Sequence, residues 1–324
     1  MNKKIKVLVL SDHPFAPSGV GTQTRYMIEH LLETGKFSFV CVAGAVKHND
    51  YNPQKTDKWG DDLLIFPVDG YGNPDLVRSM LRMHKPDMLW FMTDPRFWEW
   101  LWQMEDEIRP LCPMVYYHVW DNYPYPKFNA PFYDSNDLVA TISKVTDDIV
   151  RTVSPSTDVR YIPHTANQED FKKLDPETIK DFRKSHFQDC DDKLIFFWNN
   201  RNARRKQSGT LIWWFKEFLD IVGHDKAILL MHTEPSDPHG QDLHALIREL
   251  ELVNGEVLIS PAKIPPDALN LLYNAIDCTI NIADAEGFGL ATLESLFTGT
   301  PIIVNMTGGL QQQVTDGEEW FGIG

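Results

Sequence analysis

Short apolar runs recur along this chain at strand length, and amphipathic stretches of helical length separate them. In the first half the runs fall at residues 5–10, 37–42, 63–68, 88–92, 114–118 and 138–142, with helix-like segments at 23–33, 75–84 and 144–153. Strands that are apolar almost throughout, rather than on alternate residues, suit a parallel sheet covered by helices on both faces. Polar residues with Pro163 and Pro176 interrupt the pattern up to Asp191, which reads as a linker. Alternation then restarts, with strands at 194–198, 227–232, 257–260, 278–282 and 301–305 and helices at 207–222, 241–252, 265–275 and 290–297. The predicted architecture is α/β: two Rossmann-like, doubly wound parallel-sheet domains facing a cleft, over residues 1–165 and 193–324, joined by a linker at 166–192. The second domain shows five strands and no closing helix, so it is expected to be incomplete at its C-terminal end.

Charge narrows the partners. With 46 acidic against 31 basic residues the formal net charge is -15. Such a surface repels a phosphate backbone, which argues against nucleic acid and anionic membranes as general partners. Any anion must be held by a local exception. The four cysteines (Cys41, Cys112, Cys190, Cys278) are far apart, with no C-x-x-C and no zinc spacing, and read as buried thiols of a reducing compartment. Met1-Asn2-Lys3-Lys4 resembles the start of a signal peptide, but the apolar run that follows ends at Ser11-Asp12-His13-Pro14. It is too short for an export signal or a membrane span, so no integral membrane segment and a cytoplasmic location are expected.

Three segments carry anion chemistry. Ser18-Gly19-Val20-Gly21 lies between the first strand and the next helix, where glycines let the backbone approach a phosphate or sugar. Thr24 stands where the third glycine of a dinucleotide fingerprint would be, and the second strand ends without an acidic residue, so nicotinamide binding is disfavoured. A plain glycine turn is the bland alternative. Arg201, Arg204, Arg205 and Lys206 crowd the turn after the strand at 194–198, where ligands of open α/β sheets bind; otherwise they form a solvated basic turn. Most specific is Glu286-Gly287-Phe288-Gly289-Leu290, with Glu294 on the helix that follows and Gly299, Gly308 and Gly309 beyond. A helix beginning near Gly289 offers free N–H groups to an anion, with the two carboxylates as hydroxyl acceptors on either side.

These residues resemble a known family. The stretch from Leu271-Leu272-Tyr273-Asn274 to Gly308-Gly309 is similar to the donor-binding half of retaining glycosyltransferases of family 4, which have the GT-B fold. Glu286 and Glu294 reproduce its E-x7-E spacing, Arg201 and Lys206 its R-x4-K, and residues 161–167 its segment before the linker. Gly19-Val20-Gly21 matches its first glycine loop. The resemblance implies that Arg201 and Lys206 bind the donor diphosphate, that Glu294 holds the ribose hydroxyls and that Glu286 contacts the sugar. Gly287, Phe288, Gly289 and Leu290 would offer backbone N–H groups, Lys263 and Ile264 would flank the base, and Gly19 and Gly21 would close the phosphate side. His118 would stand near the transferred sugar as a catalytic residue beside Arg201, Lys206 and Glu286; a histidine among Tyr116, Tyr117 and Trp120 is otherwise a packing residue. Trp120, Asp121, Tyr123 and Tyr125 either line a sugar platform or pack their loop.

The implied activity is sugar transfer from a nucleotide-sugar donor, UDP- or GDP-linked, to a glycan, lipid-linked or protein acceptor, with retention, no metal and no further cofactor. The alternative is a non-catalytic sugar-nucleotide-binding or scaffold protein of the same fold. A DNA-modifying transferase is disfavoured by the charge. Asn199-Asn200 replaces the family's Val-Gly before Arg201, Ala203-Arg204-Arg205 adds charge, and Gln207 stands where glycine follows the lysine. These departures bear on donor preference.

Overall fold

The computed structural model describes residues 3–187 and 192–324. Met1, Asn2 and Cys190, and the end of the expected linker, lie outside the described residues. The chain divides into two compact units, one ending at His164 and the other beginning at Thr165.

The first unit contains strands β1 (Ile5–Asp12), β2 (Phe37–Gly44), β3 (Gln54–Lys55), β4 (Leu63–Pro67), β5 (Met88–Met92), β6 (Met114–His118), β7 (Leu138–Thr141) and β8 (Val159–Tyr161). Its helices are α1 (Gly19–Glu33), α2 (Pro74–His84), α3 (Glu99–Trp102), α4 (Glu105–Ile108), α5 (Ala130–Asp134) and α6 (Lys144–Val153). The sheet order is β3-β4-β2-β1-β5-β6-β7-β8, parallel except for β3 against β4. Val7, Leu8, Val9 and Leu10 are all buried, which is what helices on both faces require of a central strand. Side-chain caps fix the helix starts: Asn73 accepts from Leu76 N–H and Ser143 from Thr146 N–H. The apolar pattern did not signal β3, a two-residue edge, or β8, in which only Val159 is buried.

Helix α1 starts at Gly19, four residues before the sequence pattern places it. Ser18 caps it by accepting from Gly21 N–H at 3.0 Å and donates to Asp12 at 2.6 Å. Gly19 and Gly21 therefore form the first helical turn instead of a loop. A Cβ on Gly21 would stand 2.7 Å from the carbonyl of His13, so this glycine is required for packing.

The second unit holds strands β9 (Leu194–Asn199), β10 (Ala227–His232), β11 (Val257–Ser260), β12 (Cys278–Asn281) and β13 (Ile302–Val304). Its helices are α7 (Pro176–His186), α8 (Ser208–Val222), α9 (Leu243–Glu249), α10 (Pro266–Ala275), α11 (Leu290–Phe297) and α12 (Gln311–Val314). All pairs are parallel, in the order β11-β10-β9-β12-β13. On β9, Phe196 and Trp198 face the α8 side, while Ile195 and Phe197 face the α10 side. The stretch expected as a linker is built into this unit. Ala166, Phe171 and Phe187 join its core, and Arg183 of α7 donates to Ala275 O at 3.0 Å and pairs with Asp277. Beyond β13 the chain turns through α12 and returns to the sheet, where Val304 N–H donates to Ile323 O at 2.8 Å.

Candidate functional site

In the order β11-β10-β9-β12-β13 the winding reverses between β9 and β12. The segments leaving these neighbouring strands emerge side by side at the carboxyl edge, the switch point where open α/β sheets bind ligands. The basic turn and the Glu286 loop, about 80 residues apart in sequence, occupy that point.

The basic turn is held by the loop after β10. Buried Asn202 donates to Pro235 O (3.2 Å) and Gln241 O (2.7 Å) and accepts from Ser208 Oγ (2.7 Å). Arg201 is exposed and forks onto Asp237, at 2.7 and 3.2 Å. That bond raises the arginine's affinity for its proton and lowers the pKa of Asp237. Lys206 is buried and ion-paired with Glu286. Gln207, in the left-handed region at φ 58°, is secured by bonds from Thr210 and to Asp284. These bonds offset a backbone strain of roughly 1–2 kcal/mol that glycine would avoid.

The opposite wall runs from Ala283 to Gly289. Asp284 N–H donates to Arg205 O (2.8 Å), Gly309 N–H to Glu286 O (2.9 Å), and Asn305 to Ala283 O (3.0 Å). Gly309 is a close-approach glycine, since a Cβ there would lie 2.6 Å from Gly287 O and Phe288 Cα. Burial disfavours the Glu286 carboxylate, but the Lys206 charge and hydrogen bond outweigh it and hold its pKa below the ordinary value. Gly289, at φ 91°, precedes α11 with no side chain capping the helix. Buried Gln313 instead ties down the carbonyls of Phe288 and Gly289, and the helix start carries the positive end of its dipole. Four residues in, Glu294 accepts from Tyr273 hydroxyl at 2.9 Å. Burial pushes its pKa up to about 7 against the opposing effect of that bond.

Arg201, Lys206, Glu286, Gly287, Phe288, Gly289, Leu290 and Glu294 thus share the β9–β12 switch point or the helix leaving it. Lys263 is exposed in the segment after β11, while Ile264 packs partly into the core. Gly19 and Gly21 belong to the first unit. There His118 corrects the expectation of a sugar contact. It is fully buried, with Nδ1 bonded to Tyr116 hydroxyl (3.1 Å) and Nε2 to Tyr133 hydroxyl (2.8 Å), and burial lowers its pKa to about 3. Both nitrogens are spent inside the core, so this is a packing histidine. In the loop beyond, Trp120 contacts Phe128 edge-on and Tyr123 is exposed.

Sequence reasoning missed Asp237, Asn202 and Tyr273. Asn202 lies within the basic turn but carries no charge; the decisive partners of the three, Arg201, Gln241 and Glu294 respectively, lie more than 20 residues from them. Among the described residues, no three His, Cys, Asp or Glu side chains converge as a metal site. Nor is any described helix long and apolar enough to cross a membrane.

Residues 181–323 match the family model described as "Glycosyl transferases group 1". The chain is similar to D-inositol 3-phosphate glycosyltransferase of Acidothermus cellulolyticus, 38% identical over 86 residues. That match covers 26% of this chain and 18% of the relative, so the chain spans under a fifth of that protein's length in the alignment. Sucrose-phosphate synthase from Thermosynechococcus elongatus superposes with TM-score 0.78 at 18% identity, over 99% of this chain and 85% of that one. HepE of Anabaena, solved in complex with UDP-glucose, gives TM-score 0.71 at 15% identity over 99% and 86%. The two parallel-sheet α/β units are those of the GT-B fold.

Proposed function

We propose that this chain is a retaining glycosyltransferase that moves a sugar from a nucleotide-sugar donor to an acceptor hydroxyl without a metal ion. The observation that carries the reading is the switch point of the second unit. There Lys206 of the basic turn that also carries Arg201 is paired with Glu286, ahead of the uncapped start of α11, all within the segment matched by the family model. The transition state develops oxocarbenium character on the sugar and negative charge on the departing diphosphate. Arg201, Lys206 and the helix end supply preorganised positive charge for that leaving group. Arg201 is exposed and can exchange Asp237 for phosphate oxygens. Transfer of Lys206 from Glu286 to the diphosphate frees the Glu286 carboxylate to accept sugar hydroxyls. Glu294 takes the ribose hydroxyls. The acceptor hydroxyl attacks from the face the diphosphate leaves, and a departing phosphate oxygen takes its proton. The solved HepE complex with UDP-glucose supports a UDP-sugar as the first donor to try, with GDP-sugars second.

Thermal unfolding with UDP-glucose and GDP-mannose, together with turnover, tests the reading. Donor at 100 times its dissociation constant adds about 2.7 kcal/mol, a shift expected with one nucleotide and abolished in Arg201→Ala and Lys206→Ala. Full turnover in both variants overturns the mechanism. A donor-induced shift with neither hydrolysis nor transfer would leave a binding protein without transfer.

A further inference from the structure

Behind Glu294 lie two polar side chains from two other elements. Asn199, the last residue of β9, donates through Nδ2 to the phenol oxygen of Tyr273 on α10 at 2.9 Å. The Tyr273 hydroxyl donates to Glu294 Oε2 on α11 at 2.9 Å. Tyr273 has no exposed surface, and Phe197 and Phe171 stand edge-on to its ring at 5.4 and 6.0 Å. The phenol therefore cannot swing away without unpacking the core. A phenol has one proton to give. An ionised Glu294 carboxylate can only accept, so the phenol's proton goes to it, and Asn199 donates to the phenol oxygen left free.

We infer that Asn199 and Tyr273 are positioning residues that lock the Glu294 carboxylate as a hydroxyl acceptor, with one oxygen spent on the phenol and the other presented to the donor. This rests on the reading above, in which Glu294 takes ribose hydroxyls. A valine in place of Asn199 would fill similar space and give the phenol nothing, so this departure from the family pattern acquires a task.

The relay also makes a titration readable. Burial raises the Glu294 pKa to about 7, and the Tyr273 bond is the neighbouring interaction that opposes it. From α10 the facing group is Tyr273, which burial keeps neutral, and from β9 it is uncharged Asn199. In the loop ahead of α11, Glu286 is already neutralised by Lys206. Ionised Glu294 accepts hydroxyls and protonated Glu294 competes for them. Donor affinity therefore rises with pH through Glu294's pKa, and loss of the phenol moves that limb upward.

Calorimetric titration of UDP-glucose and GDP-mannose into the full chain between about pH 5.5 and 8.5 tests this, because neither diphosphate linkage titrates there. Tyr273→Phe keeps the ring and is expected to weaken binding roughly tenfold, and Asn199→Val roughly threefold. Both should move the affinity limb up by about half a pH unit or more, and Glu294→Gln should abolish it. Carbon-13 NMR of the Glu294 carboxyl gives the same shift without nucleotide, and Tyr273→Phe alone carries the test if Asn199→Val does not fold. Unchanged affinity and an unchanged Glu294 midpoint in Tyr273→Phe overturn the relay while leaving the donor reading intact. Absence of binding by the unsubstituted chain overturns both.

Discussion

At the switch point of the first unit, between β1 and β5, Asp12 accepts from Ser18 at 2.6 Å and Tyr71 at 2.8 Å. Nearby on β6, His118 gives both nitrogens to tyrosine hydroxyls. At the switch point of the second unit, between β9 and β12, the polar groups are charged pairs, Lys206 with Glu286 and Arg201 with Asp237. The winding is alike; the chemistry is not. In the first unit both Asp12 oxygens are taken by hydroxyl donors of the same unit and both His118 nitrogens by tyrosines, so these groups are already satisfied and have little to gain from a ligand. A buried ion pair barely offsets its own desolvation, so it can be exchanged for a better-charged partner such as a diphosphate. The comparison teaches that a shared topology places two candidate sites, and the exchangeability of their polar groups tells them apart.

The sharpest way to break this comparison is to remove one half of the pair. Lys206→Met leaves Glu286 buried without its cation and should cost roughly 3–5 kcal/mol of stability, with donor binding lost. Adding Glu286→Gln removes the stranded charge and should recover most of that stability while leaving donor binding absent. Denaturant unfolding and donor calorimetry on the same samples separate the two roles. If the double variant binds donor as the unsubstituted chain does, the pair is structural only. In the first unit Asp12→Asn should cost about 1–3 kcal/mol, since the amide nitrogen would face one of the two hydroxyl donors that the carboxylate accepts from.

His118 makes the next contrast. Truncation to alanine opens a cavity beside Tyr116 and Tyr133 and leaves each phenol with one bond, Tyr116 to Thr93 O and Tyr133 from Asn129, at a cost of roughly 2–4 kcal/mol. Donor affinity should not change. A loss of affinity with unaltered unfolding would restore His118 to the site and erase the difference between the two units.

What could be read from the sequence follows the same division. Strands buried on both faces announce themselves as unbroken apolar runs, so β1, β2 and β9 were legible, while the two-residue edge β3 was not. The basic turn and the Glu286 loop were legible because glycine, arginine and glutamate cluster in sequence at strand ends. Tyr273 was not, because on an apolar helix face it reads as core; its hydroxyl matters through Glu294, 21 residues on, and Asn199, 74 residues back. His118 carried the wrong signal for a related reason. A strand-end histidine among aromatics has one appearance whether it faces inward or outward, and only packing against Tyr133 decides it.

The smallest effect is a pair of opposite acid responses. His118 and His164 have folded pKa values of about 3 because burial excludes the charged form, against 6.5 for an ordinary histidine. Each stays neutral in the native state and takes up a proton only on unfolding. The stability they contribute is complete above 6.5 and is lost as pH falls toward 3. Between pH 6.5 and pH 6 the loss is under about 1 kcal/mol per histidine. Glu294 runs the other way. Its folded pKa of about 7 exceeds the ordinary 4.5, so its contribution is complete below 4.5 and is lost as pH rises toward 7. Hydrogen exchange resolved by unit should therefore show the first unit's protection rising across this window while the second unit's Glu294 contribution falls. His118→Ala should flatten the first slope by about half, and Glu294→Gln should remove Glu294's part of the second. Slopes of one sign in both units, unchanged by either substitution, would mean that the buried histidines and the Glu294 carboxylate of α11 respond to acid alike, and the distinction between a sealed switch point and an exchangeable one would fail.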